Sequence, residues 1–104
     1  MSLSNPNSSW EKPLPTDYTE LTPKERRAVR QQYMRDQHWN CYFCGSSLFS
    51  DAPQELKDLP IDWDLFPEGF LNYPVHLQHN HNTGMTEGAV HAFCNAFMWH
   101  YYRR

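Results

Sequence analysis

The feature that most constrains this chain is a pair of pairs. Cys41 and Cys44 are separated by two residues, as are His91 and Cys94, so all three cysteines fall in paired spacing with one histidine. Two intervening residues let both side chains of a pair reach one ion, and three sulfurs with one imidazole make a closed tetrahedral set suited to zinc. The pairs stand 46 residues apart, farther than in compact fingers, so the ion would join remote segments. The competing reading makes Cys41 and Cys44 ordinary buried thiols and His91 a satisfied strand histidine. A redox role has no support, because no strand–helix–strand pattern surrounds the cysteine pair.

Size explains why such a staple would matter. The chain has 104 residues, 39% apolar, with a mean hydropathy of −0.81, which implies one small domain with a thin core that gains from a structural metal. An odd number of cysteines without a secretory signal fits a reducing cytoplasm better than a disulfide framework. No apolar run reaches the length of a membrane span.

Local patterns place the ligands on elements. Val75–His79 reads as a strand with Val75 and Leu77 on one face, Thr83–Gly84 as a turn, and Gly88–Val90 as the return strand. From Ala92 the period becomes helical, with Phe93, Phe97 and Tyr101 four residues apart, and Cys94 and Asn95 fall in the first turn of that helix. Upstream, Thr22, Pro23 and Glu25 read as N-cap, first helical residue and capping-box partner of a helix running to about Gln37, with Val29 and Tyr33 facing inward beside Ala28 and Gln32. The expected class is α+β: a hairpin running into a helix over residues 75–100, zinc knuckles at 41–44 and 91–94, and an additional N-terminal helix over 21–37. All of these belong to a single domain spanning 21–104. Residues 1–20, with Pro6, Pro13 and Pro15 among Ser and Asn, should form an extended arm that Trp10 or Tyr18 could pin down.

Charge is uneven. The insertion at 50–72 carries six carboxylates against Lys57 alone, net −5 of the chain's formal −3, so the remainder is at +2. Its aromatic residues Trp63, Phe66 and Phe70, with Leu65, are expected to pack it down rather than stack on bases. The N-terminal helix carries Lys24, Arg26, Arg27, Arg30 and Arg35, and the chain ends in Arg103–Arg104. A basic helix is usually a solvated face, yet Arg26, Arg27, Arg30, Arg103 and Arg104 could meet phosphate while the acidic insertion faces away.

Between the strand and the second ligand pair the residues resemble something known. Gln78, His79, His81, Thr83 and Gly84, then Gly88, His91, Cys94 and Asn95, are similar to the HNH, or ββα-metal (His-Me finger), endonucleases. The likeness is to their zinc-containing branch related to recombination endonuclease VII, and it covers about residues 38–48 and 75–100. That branch has Asp-His-x-His-x-Thr-Gly, then a glycine, then a cysteine pair followed by Asn. Two residues depart from it: His91 stands where Cys is usual, and Gln78 where Asp is usual.

The resemblance implies a zinc-stabilised ββα-metal domain that hydrolyses DNA. In it Cys41, Cys44, His91 and Cys94 hold structural zinc, and His79 takes a proton from the attacking water. A divalent cation at the scissile phosphate would be held at the positions of Gln78 and Asn95, leaving 5′-phosphate and 3′-hydroxyl ends. His81 could contact the phosphate, complete the metal shell or brace the loop; His76, His38 and His100 read as structural. A neutral amide at Gln78 should hold Mg²⁺ poorly, so Mn²⁺ is the expected catalytic metal. One module implies a monomer that nicks one strand per encounter, with a dimer as the open alternative. Two other classes compete: a nucleic-acid-binding module that has lost catalysis, and a zinc-bound interaction adaptor.

Overall fold

The computed structural model describes residues 12–102. Helix α1 spans Pro23–Asp36, a single turn α2 spans Gln54–Lys57, strands β1 and β2 span Val75–His79 and Thr86–His91, and helix α3 spans Ala92–Tyr102. Short 3₁₀ turns stand at Tyr18–Glu20 and Trp63–Leu65. The α+β class and the helix–hairpin–helix order expected for the chain are both present. Trp10, Arg103 and Arg104 lie outside the described residues.

The capping box that starts α1 is complete. The Thr22 hydroxyl accepts from the Glu25 N–H at 3.2 Å, and the Glu25 carboxylate accepts from the Thr22 N–H at 2.9 Å. Val29 is fully buried, and the Tyr33 hydroxyl meets the Thr86 hydroxyl at 2.8 Å, which lays α1 across the hairpin.

The hairpin is antiparallel, with Val75 opposite His91 and Gln78 opposite Gly88. Its turn is organised by Asn80, whose side-chain oxygen accepts from the N–H groups of Asn82 and Thr83. Gly84 takes φ +80°, a conformation costly for any residue with a Cβ. A bulge between Gln78 and His79 shifts the register, so His79 pairs with Thr86 and Glu87 becomes the extra residue. Such a bulge re-aims the side chains beside it.

A two-stranded sheet has open edges, and here one is covered. The Gln37 amide clasps Ala89, donating to its carbonyl at 2.9 Å and accepting from its N–H at 2.8 Å, while the Tyr42 N–H donates to the same carbonyl. Gly88 beside it admits this approach, because a Cβ there would fall 2.7 Å from the Tyr42 ring. Further along, Thr16 exchanges hydrogen bonds with Thr86, and Tyr18 N–H donates to the Gly84 carbonyl. The part of the arm from Lys12 to Glu20 therefore lies against the domain, with Tyr18 as one of its pins.

The acidic insertion is fastened by rings. Trp63 meets Phe93 edge-on at 5.6 Å, Phe66 meets Trp99 at 5.5 Å, and Phe70 meets His76 at 4.7 Å. These contacts tie it to α3 and β1, as the aromatic pattern suggested. Among the described residues no helix is long and apolar enough to cross a membrane.

Candidate metal cluster and adjoining groove

Each paired ligand sits where local backbone bonding can hold it. Cys41 and Cys44 flank a tight turn in which the Ser46 carbonyl accepts from Cys41 N–H, Gly45 N–H returns to the Cys41 carbonyl, and Cys44 N–H points at the Cys41 sulfur at 3.5 Å. His91 is the last residue of β2 and Cys94 lies in the first turn of α3. The four ligand atoms lie within 4.8 Å of one another.

A tetrahedral ion dictates the spacing of its ligands. Zinc–sulfur and zinc–nitrogen bonds of about 2.3 and 2.0–2.1 Å put a sulfur and a nitrogen ligand roughly 3.5 Å apart. His91 Nδ1 is 3.4 Å from the Cys44 sulfur and 3.6 Å from the Cys94 sulfur. The opposite ring nitrogen, Nε2, donates to the Ser47 carbonyl at 2.9 Å, which leaves the lone pair on Nδ1 facing the sulfurs. The cluster can therefore hold a structural metal such as zinc. Cys41 and Cys94 are also members of the main apolar cluster with Leu48, Ala89, Val90 and Met98, so the ligands belong to the core itself. The hydrogen bond from Cys94 lowers the Cys41 pKa to about 4, while that same contact, and burial after it, push Cys94 far up. Metal binding requires the thiolate form, so a divalent cation would displace the remaining thiol protons.

Directly after Cys94, Asn95 opens onto a second feature, a groove of about 640 Å³ between α1, β1, α3 and the insertion. His79, His81, Gln78 and Asn95 all line it, together with Arg26, Arg27 and Arg30. Of the residues in the HNH-like pattern, Gln78, His79, His81 and Asn95 thus line one concavity with the cationic face of α1, whereas Thr83, Gly84 and Gly88 do not, and His91 and Cys94 belong to the metal cluster.

Their individual bonds are specific. The Gln78 side chain is buried, and its amide nitrogen donates to the Glu87 carboxylate at 3.1 Å and to the His79 carbonyl at 3.2 Å. The Asn95 amide nitrogen donates to His76 Nδ1 at 3.0 Å. In both amides the nitrogen has a partner, which leaves the carbonyl oxygen as the remaining polar atom of each side chain. His79 is half-buried between two rings: Tyr18 stacks on it at 3.8 Å and 7° from parallel, and His81 lies 4.5 Å away, itself exposed. Behind Tyr18 the Arg26 guanidinium sits 4.0 Å from the ring centre. Burial first, then the charges of His81 and Arg26, hold the His79 pKa below its ordinary value, which keeps the imidazole neutral and able to accept a proton near pH 7.

Three of these neighbours were not singled out by the sequence pattern. His76, read as structural, is two residues before Gln78 and so shares its strand face; that alternation was the available signal. Tyr18 and Glu87 carried none, since their positions depend on how the arm and the bulge pack. The chain matches no protein-family model, no curated protein and no solved structure. What the fold and cluster define is a class: a small α+β domain of hairpin and helices around a Cys₃His group that could bind zinc.

Proposed function

We propose that the chain is a metal-dependent endonuclease of the HNH type that hydrolyses phosphodiester bonds in DNA, nicking one strand per event. The observation that carries this reading is that His79, from β1, and Asn95, from α3, line one groove together with Arg26, Arg27 and Arg30. A phosphodiester is an anion, and three guanidinium groups on one wall favour its approach. His79, kept neutral by its surroundings, accepts the proton of the attacking water. The carbonyl oxygens of Gln78 and Asn95 are the candidate ligands for a divalent cation, which would stabilise charge on the phosphate and the leaving oxygen. With two neutral donors and no carboxylate among the residues lining the groove, Mn²⁺ is the favoured ion over Mg²⁺. The Cys41, Cys44, His91 and Cys94 cluster would support Asn95 from the adjacent residue, holding the α3 terminus against β1.

A second reading, a nucleic-acid-binding module without catalysis, is favoured by one contact. The Gln78 amide is engaged by Glu87 within the hairpin, as a purely structural glutamine would be. Incubation of supercoiled plasmid with the zinc-loaded protein and Mn²⁺ separates the two. Nicked circles that disappear in His79→Ala support the hydrolase; a gel shift without nicking supports the binder; neither result leaves a zinc-bound adaptor.

A further inference from the structure

The groove's two walls differ in kind. On one side α1 presents Arg26, Arg27 and Arg30, spaced so that all three share a face. Among the described residues no carboxylate pairs with them, the Arg26 Nε is buried without an acceptor, and burial together with the neighbouring charge of Arg27 pushes the Arg30 pKa down. These are cations lacking anions. The apolar wall comes from the insertion, with Leu65, Phe66, Pro67 and Phe70, and from Tyr73 just beyond it. Phe66 and Phe70 are held in place by their contacts with Trp99 and His76. Tyr73 is 72% exposed and its ring stacks on no other ring among the described residues. The insertion's carboxylates do not line the groove.

A duplex would make poor use of this shape. It turns phosphates outward on both strands and hides its base faces, so the insertion wall would desolvate phosphate against apolar surface. An unpaired strand has the matching cross-section: phosphates along one side, flat aromatic faces along the other. We propose that the groove takes an unpaired nucleic-acid strand, its backbone along Arg26, Arg27 and Arg30 and a base stacked on Tyr73. This deepens the endonuclease reading by assigning single-stranded segments as its substrate class, and it rests on that reading for the cleavage step alone.

The test separates binding from cutting. Fluorescence anisotropy of the zinc-loaded protein, without added divalent cation, compares a labelled oligodeoxynucleotide of about 12 residues, within the usual site size of such grooves, with its blunt duplex at equal salt. The single strand is expected to bind about 10-fold tighter, and Tyr73→Ala to remove most of that preference, as loss of one stacked base does. Because Tyr73 is exposed, its truncation leaves the core intact. Arg27→Ala with Arg30→Ala should weaken both ligands and flatten the salt dependence. Equal or tighter duplex binding, or a Tyr73→Ala protein with unchanged preference, overturns the proposal. Cleavage with Mn²⁺ is then read on the same two ligands. Duplex cut while single strands are spared sinks the strand assignment and leaves the endonuclease standing; preferential single-strand binding with neither cut does the reverse.

Discussion

Withdrawing zinc bound by the Cys41, Cys44, His91 and Cys94 cluster is expected to unfold the domain. Cys41, His91 and Cys94 are buried, and two of the twelve buried apolar residues among the described ones, Cys41 and Cys94, belong to the cluster. Without a cation, the cysteine sulfurs are left packed together in and beside the core. Structural zinc in a site of this kind contributes roughly 10–16 kcal/mol of apparent binding energy at neutral pH. The whole stability of a small domain is about 5–15 kcal/mol, so the loss meets or exceeds the reserve. The assay is far-ultraviolet circular dichroism with a thermal scan, before and after chelation, with metal content measured in each sample. The helical signal of α1 and α3 should collapse and return on adding zinc. A chain shown to be metal-free that keeps this signal and melts within about 5 °C of the loaded protein, a difference of about 1 kcal/mol for a domain of this size, would refute the reasoning.

Three further outcomes are expected. Gln78→Asp places a charged oxygen beside His79 and, on the endonuclease reading, should raise the Mg²⁺-supported nicking rate relative to Mn²⁺ by about 10-fold or more, since a hard cation gains most from a carboxylate; an unchanged ratio would remove Gln78 from the cation's shell. Arg26→Ala takes a positive charge from the vicinity of His79, making protonation easier, so an NMR titration should place the His79 pKa higher than in the parent protein; a fall would contradict the electrostatic assignment. Gln37→Ala leaves the buried Ala89 N–H without its acceptor, while the Ala89 carbonyl keeps Tyr42. Urea denaturation should show a loss of about 1–3 kcal/mol, and a change under about 0.5 kcal/mol would mean water replaces the clasp.

Much of the fold was legible because it is written in short spacings. The Thr22–Glu25 box, the period of Val75–His79, the Gly84 turn and the two-residue gaps at Cys41–Cys44 and His91–Cys94 are all decided within a few residues, where backbone geometry leaves few options. The convergence of the two ligand pairs was legible for a different reason: one ion can satisfy all four side chains only if remote segments meet. What stayed hidden depended on packing. Nothing near Tyr18 says that its ring will lie on His79, and the bulge that brings Glu87 to the Gln78 amide appears only when two strands pair out of step. The face the insertion turns to the groove was equally unreadable, because its aromatic residues serve both as anchors to α3 and as a wall.

The strand-to-helix joint carries a last consequence. β2 ends at His91 and α3 begins at Ala92 with no intervening loop, and one ligand stands on each side of the join. An ion gripping both would set the rotational phase of α3 as an index pin sets a dial. One residue inserted after Ala92 would turn everything beyond it by about 100° and swing Asn95 out of the groove, even though every side chain survived. An ion held across the join would therefore fix the count of residues between His91 and Asn95.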